Sequence, residues 1–279
     1  MAGRLEGRVA LITGAARGQG RAEAVRLAEE GASIVALDVC GPIAGRDLYP
    51  ASSPADLAET VALVEAAGQK AVAIEGDTRR LADLQRAVDE GLSAFGRLDI
   101  AVANAGIPGS RGLLHEISED GWQTTIDVDL TGVWHTAKAV LPTMIEAGRG
   151  GCIVLTSSAA ASRIKEQLGD YGAAKAAVNH LCRTLALENG RHGIRVNAIE
   201  PGFVATPMVI NEATLRLYRP DLDHPTREDA EPMFADKAYL KVKPLLAGRD
   251  IANAVLWLAS DEGAFVTGAV VPVDMGWIP

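Results

Sequence analysis

Thr13-Gly14-Ala15-Ala16-Arg17-Gly18-Gln19-Gly20 decides the fold of this chain. The short apolar run Arg8–Thr13 before it reads as a strand, and the amphipathic stretch at roughly 18–30 reads as a helix. Gly14 permits a tight turn between them, and Gly18 and Gly20 let backbone and helix come close to a bound pyrophosphate. The helix start offers unpaired N–H groups and a partial positive charge, which suit that anion. A lone glycine triplet is weak; the strand–turn–helix setting makes it informative.

Further along, Ser33–Asp38 reads as a second strand with Asp38 at its end. A carboxylate there accepts bonds from the adenosine ribose hydroxyls and repels a 2′-phosphate, which favours NAD over NADP. Arg17 pulls the other way, since an arginine near this place can hold such a phosphate. Ala71–Glu75, Ile100–Ala103, Cys152–Thr156, Arg195–Ile199 and Val270–Val273 read as further strands. Helical stretches lie between them at roughly 54–67, 80–95, 118–147, 171–189 and 249–260. Gly31 and Gly68 are placed as C-cap glycines. Ser53 before Pro54 is an N-cap followed by a first-turn proline, and Ser118-Glu119-Asp120 opens a helix with a cap and an acidic turn. This alternation predicts an α/β fold: a single domain over 1–279, with a doubly wound parallel sheet of about seven strands flanked by helices.

Composition agrees. With 279 residues, 48% of them apolar and 4% aromatic, the core must be aliphatic, which suits parallel strands covered on both faces. A net charge of −9 argues against nucleic-acid binding while leaving room for one local anion site. Cys40, Cys152 and Cys182 are widely spaced and read as free thiols. The five histidines lack ligand spacing, so no metal is expected. No signal peptide and no run of membrane-spanning length is visible, so a soluble, cytoplasmic protein is expected.

Two segments break the rhythm. Residues 39–53 are too long for an ordinary strand-to-helix turn. Residues 205–243 form a proline- and charge-rich stretch after the sixth strand, placed as a substrate lid.

The chemistry resides in Tyr171-Gly172-Ala173-Ala174-Lys175 with Ser158 upstream. On a helix, i and i+4 share a face, so the Lys175 ammonium can lie beside the Tyr171 phenol. A nearby positive charge lowers a phenol pKa from its usual value near 10, which would make Tyr171 usable as a proton donor and acceptor. Ser158 can hold a substrate oxygen against it.

Taken in order, the glycine turn, Asn104-Ala105-Gly106, Ser158, Tyr171-x-x-x-Lys175 and Pro201-Gly202 resemble the short-chain dehydrogenase/reductase family, a Rossmann-type fold. The resemblance spans essentially the whole chain. Gly14–Gly20, the inserted loop opening Asp38-Val39-Cys40-Gly41-Pro42-Ile43, and Thr131-Gly132-Val133-Trp134 further resemble the mycofactocin-associated, carveol-dehydrogenase-like subgroup. That likeness implies tightly held NAD reoxidised by a separate redox-carrier partner, with the inserted loop folded over the adenosine half.

The family likeness implies a secondary alcohol or its ketone as substrate, small to medium-sized and lipophilic, and a homotetramer. It assigns Tyr171 as acid and base, Lys175 as the group that lowers its pKa and binds the nicotinamide ribose, and Ser158 as the orienter of the substrate oxygen. Gly14, Arg17, Gly18, Gln19, Gly20, Asp38, Val39 and Ala105 would contact the cofactor. Asp77 and Thr78 would flank the adenine, Asn104 and Gly106 would line the trough, and Pro201, Gly202, Val204 and Thr206 would hold the nicotinamide end.

Val128-Asp129-Leu130-Thr131-Gly132 departs from the family, which has asparagine at the position of Asp129. An ionised carboxylate there would oppose the lowering of the phenol pKa, which predicts reduced activity or a shifted pH optimum. The alternatives are an ordinary ketone reductase with exchangeable NAD(P) and a non-catalytic NAD-binding sensor. The small residues Gly172, Ala173, Ala176 and Ala177 fit either close helix approach between subunits or packing within the chain. The terminal Val273–Pro279 is expected to dock on a neighbouring subunit.

Overall fold

Seven parallel strands in the order β3-β2-β1-β4-β5-β6-β7 form the sheet of the computed structural model, which describes residues 3–277. The strands are β1 (Val9–Thr13), β2 (Ser33–Asp38), β3 (Ala71–Glu75), β4 (Ile100–Ala103), β5 (Gly151–Thr156), β6 (Ile194–Pro201) and β7 (Val270–Val273). Four of the seven have the bounds expected from sequence; the others differ by one or two residues at an end.

Connecting them are α1 (Gly18–Ala28), α2 (Pro54–Ala66), α3 (Leu81–Phe95), α4 (Glu119–Ile126), α5 (Gly132–Ala147), α6 (Ala159–Ser162) and α7 (Gly169–Asn189), then α8 (Glu212–Tyr218), α9 (Arg227–Lys237) and α10 (Gly248–Ala259). The expected caps form. Ser53 and Asp56 make a reciprocal capping box at the start of α2, and the Ser118 hydroxyl accepts from the Gly121 N–H. Gly31 and Gly68 take left-handed φ values of 100° and 88°.

Both faces of the sheet are buried, and β1 divides its side chains between them. Ala10 and Ile12 join a core beneath α1 and α10, while Val9 and Leu11 join a second beneath α3, α5 and α7. Aliphatic strands with no polar face have no other stable place than between two helical layers. Strand order reverses at β1, between β2 and β4, so the crevice at the carboxyl ends of these strands opens where the glycine turn lies.

Two expectations need correction. The helix expected over 118–147 is interrupted: Asp127–Thr131 forms a π-helical turn between α4 and α5. Residues 205–243, whose conformation the linear reading left open, contain α8 and α9, which pack Leu215, Ala230 and Phe234 against Leu245 as a small third core. Trp277 is not exposed as the terminal segment was expected to be. It is buried in its own chain against Phe203, ring centroids 4.6 Å apart, and its carbonyl accepts from Arg163; Ile278 and Pro279 lie outside the described residues.

Among the described residues all three cysteines are free, Cys152 and Cys182 being buried as expected and Cys40 half-buried. Among the same described residues no group of metal-ligating side chains forms, and no helix is long and apolar enough to cross a membrane.

Candidate active site

One cleft of about 730 Å³ runs across the carboxyl ends of the strands. Gly14, Arg17, Gly18, Gln19, Asp38, Val39, Asp77, Thr78, Asn104, Ala105, Gly106, Ser158, Tyr171, Lys175, Pro201, Gly202, Val204 and Thr206 all line it. Gly20 and Asp129 do not. Gly20 is there for packing: a Cβ would stand 2.1 Å from the Gly14 carbonyl oxygen, so only glycine lets α1 press onto the turn.

The residues present fit a dinucleotide. No side chain caps the start of α1 and no acidic residue occupies its first turn, so its N-terminal N–H groups are left for an external anion. The Gln19 Oε1 atom is buried without a partner beside them. The Asn104 amide donates to the Thr13 carbonyl at 3.0 Å, and the Asn104 and Ala105 N–H groups donate to Thr13 Oγ1, which ties the turn to the end of β4.

Asp38 has further duties. It accepts from the Ala16 N–H at 3.0 Å, the Cys40 N–H at 3.1 Å and the Ser52 hydroxyl at 2.6 Å, so it also staples both ends of the inserted loop. A carboxylate has about four acceptor sites, which leaves room for one more bond. Asp77 is engaged by Arg79 at 2.6 Å, a partner the sequence did not announce.

The inserted loop crosses the cleft. From its middle, the Arg46 guanidinium donates to Ser110 Oγ at 3.2 Å, the Gly121 carbonyl at 2.8 Å and Thr125 Oγ1 at 2.7 Å on the far bank. Tyr49 lines the cleft beneath, with the Arg17 guanidinium 5.2 Å from its ring centroid. Neither residue belongs to a recognisable motif, and contact across the cleft is invisible in a linear reading.

The catalytic helix α7 is fixed at its start. Buried Asp170 accepts from the Ser110 N–H, Thr125 Oγ1 and the Tyr171 N–H, each at 2.8 Å. These donors hold its carboxyl below the usual range although burial works to raise it. One turn on, the Ser157 hydroxyl donates to the Lys175 carbonyl at 2.9 Å, which joins α7 to the end of β5.

Lys175 is 2% exposed. Its Nζ donates to the Thr156 carbonyl at 3.0 Å and lies 3.1 Å from Asp129 Oδ1 and 5.6 Å from the Tyr171 ring centroid. The π turn delivers Asp129 to this place. It is fully buried behind Gly106, where it also accepts from the Ile107 N–H at 3.3 Å, and its Oδ2 has no partner.

This pairing bears on the acidity of Tyr171, in the sense expected of an ionised Asp129. Burial pushes the Tyr171 phenol above its ordinary value; Lys175 and the Ser158 hydroxyl pull it down, but Asp129 pushes it up again. The net direction is upward, chiefly because of burial, with Asp129 adding to it by offsetting part of the Lys175 charge. Burial likewise raises Asp129, against the pull of Lys175 and Arg46. Lys175 is lowered by burial, but its two partners outweigh that and leave it above its usual value.

On the lid side the lining includes Ile107, Arg111, Lys165, Leu168, Phe203, Tyr218 and Trp277, most of which no sequence pattern had marked. Aromatic contacts order this wall: Phe203 meets Tyr218 edge-on at 5.6 Å and Phe234 at 4.9 Å.

Comparison with known proteins agrees with this geometry. Residues 14–278 match the family described as Enoyl-(Acyl carrier protein) reductase. The chain is 47% identical over 273 residues to (-)-trans-carveol dehydrogenase of Rhodococcus erythropolis, covering 98% of each. It superposes on the crystal structure of carveol dehydrogenase from Mycobacterium avium in complex with NAD with a TM-score of 0.96, at 50% identity and 99% coverage of both chains. A short chain dehydrogenase from Mycobacterium paratuberculosis bound to NAD gives 0.89 at 44% identity, again with 99% coverage of both. With the glycine turn, the buried lysine and the adjoining tyrosine and serine in one cleft, this chain belongs to the short-chain dehydrogenase/reductase family.

Proposed function

We propose that the protein is an NAD-dependent dehydrogenase that oxidises a secondary alcohol, or reduces the matching ketone, with NAD held through successive turnovers. The observation that carries this reading is the meeting of Ser158, Tyr171 and Lys175 in a cleft headed by an uncapped helix start. A nicotinamide bound there supplies hydride acceptance and return. The Tyr171 hydroxyl takes the proton from the alcohol or gives one to the carbonyl. Ser158 holds the substrate oxygen, and Lys175 supplies the positive charge that favours the phenolate against the opposing effects of burial and Asp129. Gly18, Asp38 and Asp77 serve the adenosine and pyrophosphate half, while Pro201, Gly202 and Thr206 border the nicotinamide half.

Retention of the cofactor is supported by Arg46, whose three bonds strap the inserted loop to the opposite bank. A strap of this kind slows release without adding a contact to the reacting atoms. Tight holding in turn implies a second redox carrier, of the mycofactocin kind, that reoxidises the nucleotide in place. The apolar wall of Phe203, Leu217 and Trp277 suits a compact, lipophilic alcohol, and the carveol dehydrogenases among its relatives support that class. Ala173 and Ala176 are exposed on α7, a face that suits close approach of a second copy in a homotetramer.

The test is to purify the protein without added nucleotide and follow the near-ultraviolet absorbance of NADH as alcohols are added. One reduction that stalls until an artificial acceptor is supplied supports this reading. Repeated turnover driven only by added NAD would replace it with an exchanging enzyme, and bound nucleotide that no alcohol reduces would indicate a sensor.

A further inference from the structure

Arg111 and Lys165 line the lid side of the cleft, and neither forms an ion pair with any carboxylate among the described residues. Both are held in place by neutral groups. Arg111 donates to the Ala213 carbonyl at 3.1 Å and to Thr214 Oγ1 at 2.6 Å. Lys165 donates to the Tyr218 hydroxyl at 2.7 Å and lies 4.5 Å from the centroid of the same ring.

These bonds aim the cations and leave most of their donors free. A guanidinium has five N–H donors and an ammonium three. Arg111 uses two, its Nε being buried without a partner, and Lys165 uses one. The backbone of Arg111 takes φ +48°, a left-handed conformation rare outside glycine.

The surrounding charges do not cancel the pair. Burial lowers the Lys165 ammonium, and Arg111 and Lys237 lower it further, so the field at this wall is positive. Glu166 lines the same mouth but pairs with neither cation, and Glu212 of α8 is committed to Arg216 and His224. A half-buried guanidinium and a more exposed ammonium, both with spare donors beside a hydrophobic cavity, are suited to receive a carboxylate.

We infer that the substrate is an alcohol or ketone bearing a carboxylate on the end remote from the reacting carbon, received by Arg111 and Lys165 while Ser158 and Tyr171 hold the carbinol. This rests on the dehydrogenase reading and narrows it from lipophilic alcohols to hydroxy or keto acids with an apolar body.

The experiment compares isosteres. Cyclohexanecarboxylate and cyclohexanecarboxamide are titrated calorimetrically into the NAD-loaded protein, and into Arg111→Met, Arg111→Lys and Lys165→Met variants. In parallel, oxidation of cyclohexanol and of hydroxycyclohexanecarboxylate is followed. The carboxylate should bind roughly tenfold or more tightly than the carboxamide, as expected for charge-assisted hydrogen bonds. That preference should weaken with added salt. It should fall towards one in the Met variants and survive in part in Arg111→Lys.

The ratio is measured within each variant, so a general loss of stability cancels. Equal binding of the two probes, or variants that weaken both alike, would overturn the inference and leave the cations as lid braces only. A carboxylate preference without oxidation of either alcohol would instead refute the dehydrogenase reading while the acid site stands.

Discussion

The two banks of the cleft are built on different terms. On the sheet side, the groups proposed to handle cofactor and proton sit at a strand end or on the first turns of a long helix: Gly14 and Gly18 after β1, Ser158 after β5, Tyr171 and Lys175 on α7. On the lid side the lining comes from loops and the short helix α8, stabilised by aromatic contacts among Phe203, Tyr218, Phe234 and Trp277. Chemistry that needs sub-ångström placement is carried by the part that the whole sheet holds rigid. Recognition is left to a small separate core that can be remodelled without disturbing the sheet.

The sharpest way to break that division is Tyr171→Phe. Removing the proton-transferring hydroxyl should cost about 10²–10⁴-fold in kcat while NAD binding changes little, measured by steady-state rates and calorimetry. A variant as fast as the parent would mean that the sheet side does not carry the chemistry. The matching probe of the lid is Phe234→Ala. It removes a fully buried ring from the third core, and such truncations cost about 3–5 kcal/mol. Because that core stands apart from the two sheet cores, KM for the alcohol should rise several-fold with NAD affinity kept; equal damage to both would show that the halves are coupled.

Arg46→Ala tests the strap between the banks. Loss of three guanidinium bonds should speed NAD release by about tenfold, read from the exchange of bound nucleotide against a labelled pool. Unchanged release would remove the inserted loop from any part in cofactor retention.

A subtler effect is expected from Asp129→Asn. The carboxylate raises the Tyr171 phenol, so neutralising it should lower that pKa and move the alkaline-rising midpoint of the oxidation profile to more acidic pH. Activity should stay equal or rise. A large fall in kcat at every pH would show that the carboxylate itself takes part in proton movement, with its unpartnered Oδ2 as the atom concerned.

Much of the sheet side was legible beforehand because its signals are local. Glycine spacing, apolar runs bounded by turn residues and an i, i+4 pair each depend on a few consecutive residues, and parallel strands buried on both faces tolerate little ambiguity of pattern. The lid resisted for the opposite reason. α8 and α9 are short helices within a proline-rich run, and Pro232 stands inside α9, so neither has the length or periodicity that a sequence reading needs. Trp277 looked like an exposed terminal residue, because nothing in its neighbours along the chain hints at Phe203.

The amino-acid order alone therefore determined that this is a doubly wound α/β domain, that it carries a dinucleotide turn, and which tyrosine, lysine and serine to expect in one cleft. Only the folded chain decided how those groups are tuned. The π turn that buries Asp129 against Lys175 and the loop that carries Arg46 across the cleft unite residues far apart in sequence. Electrostatic tuning of this kind depends on distance and burial, neither of which exists until the backbone has closed around the site.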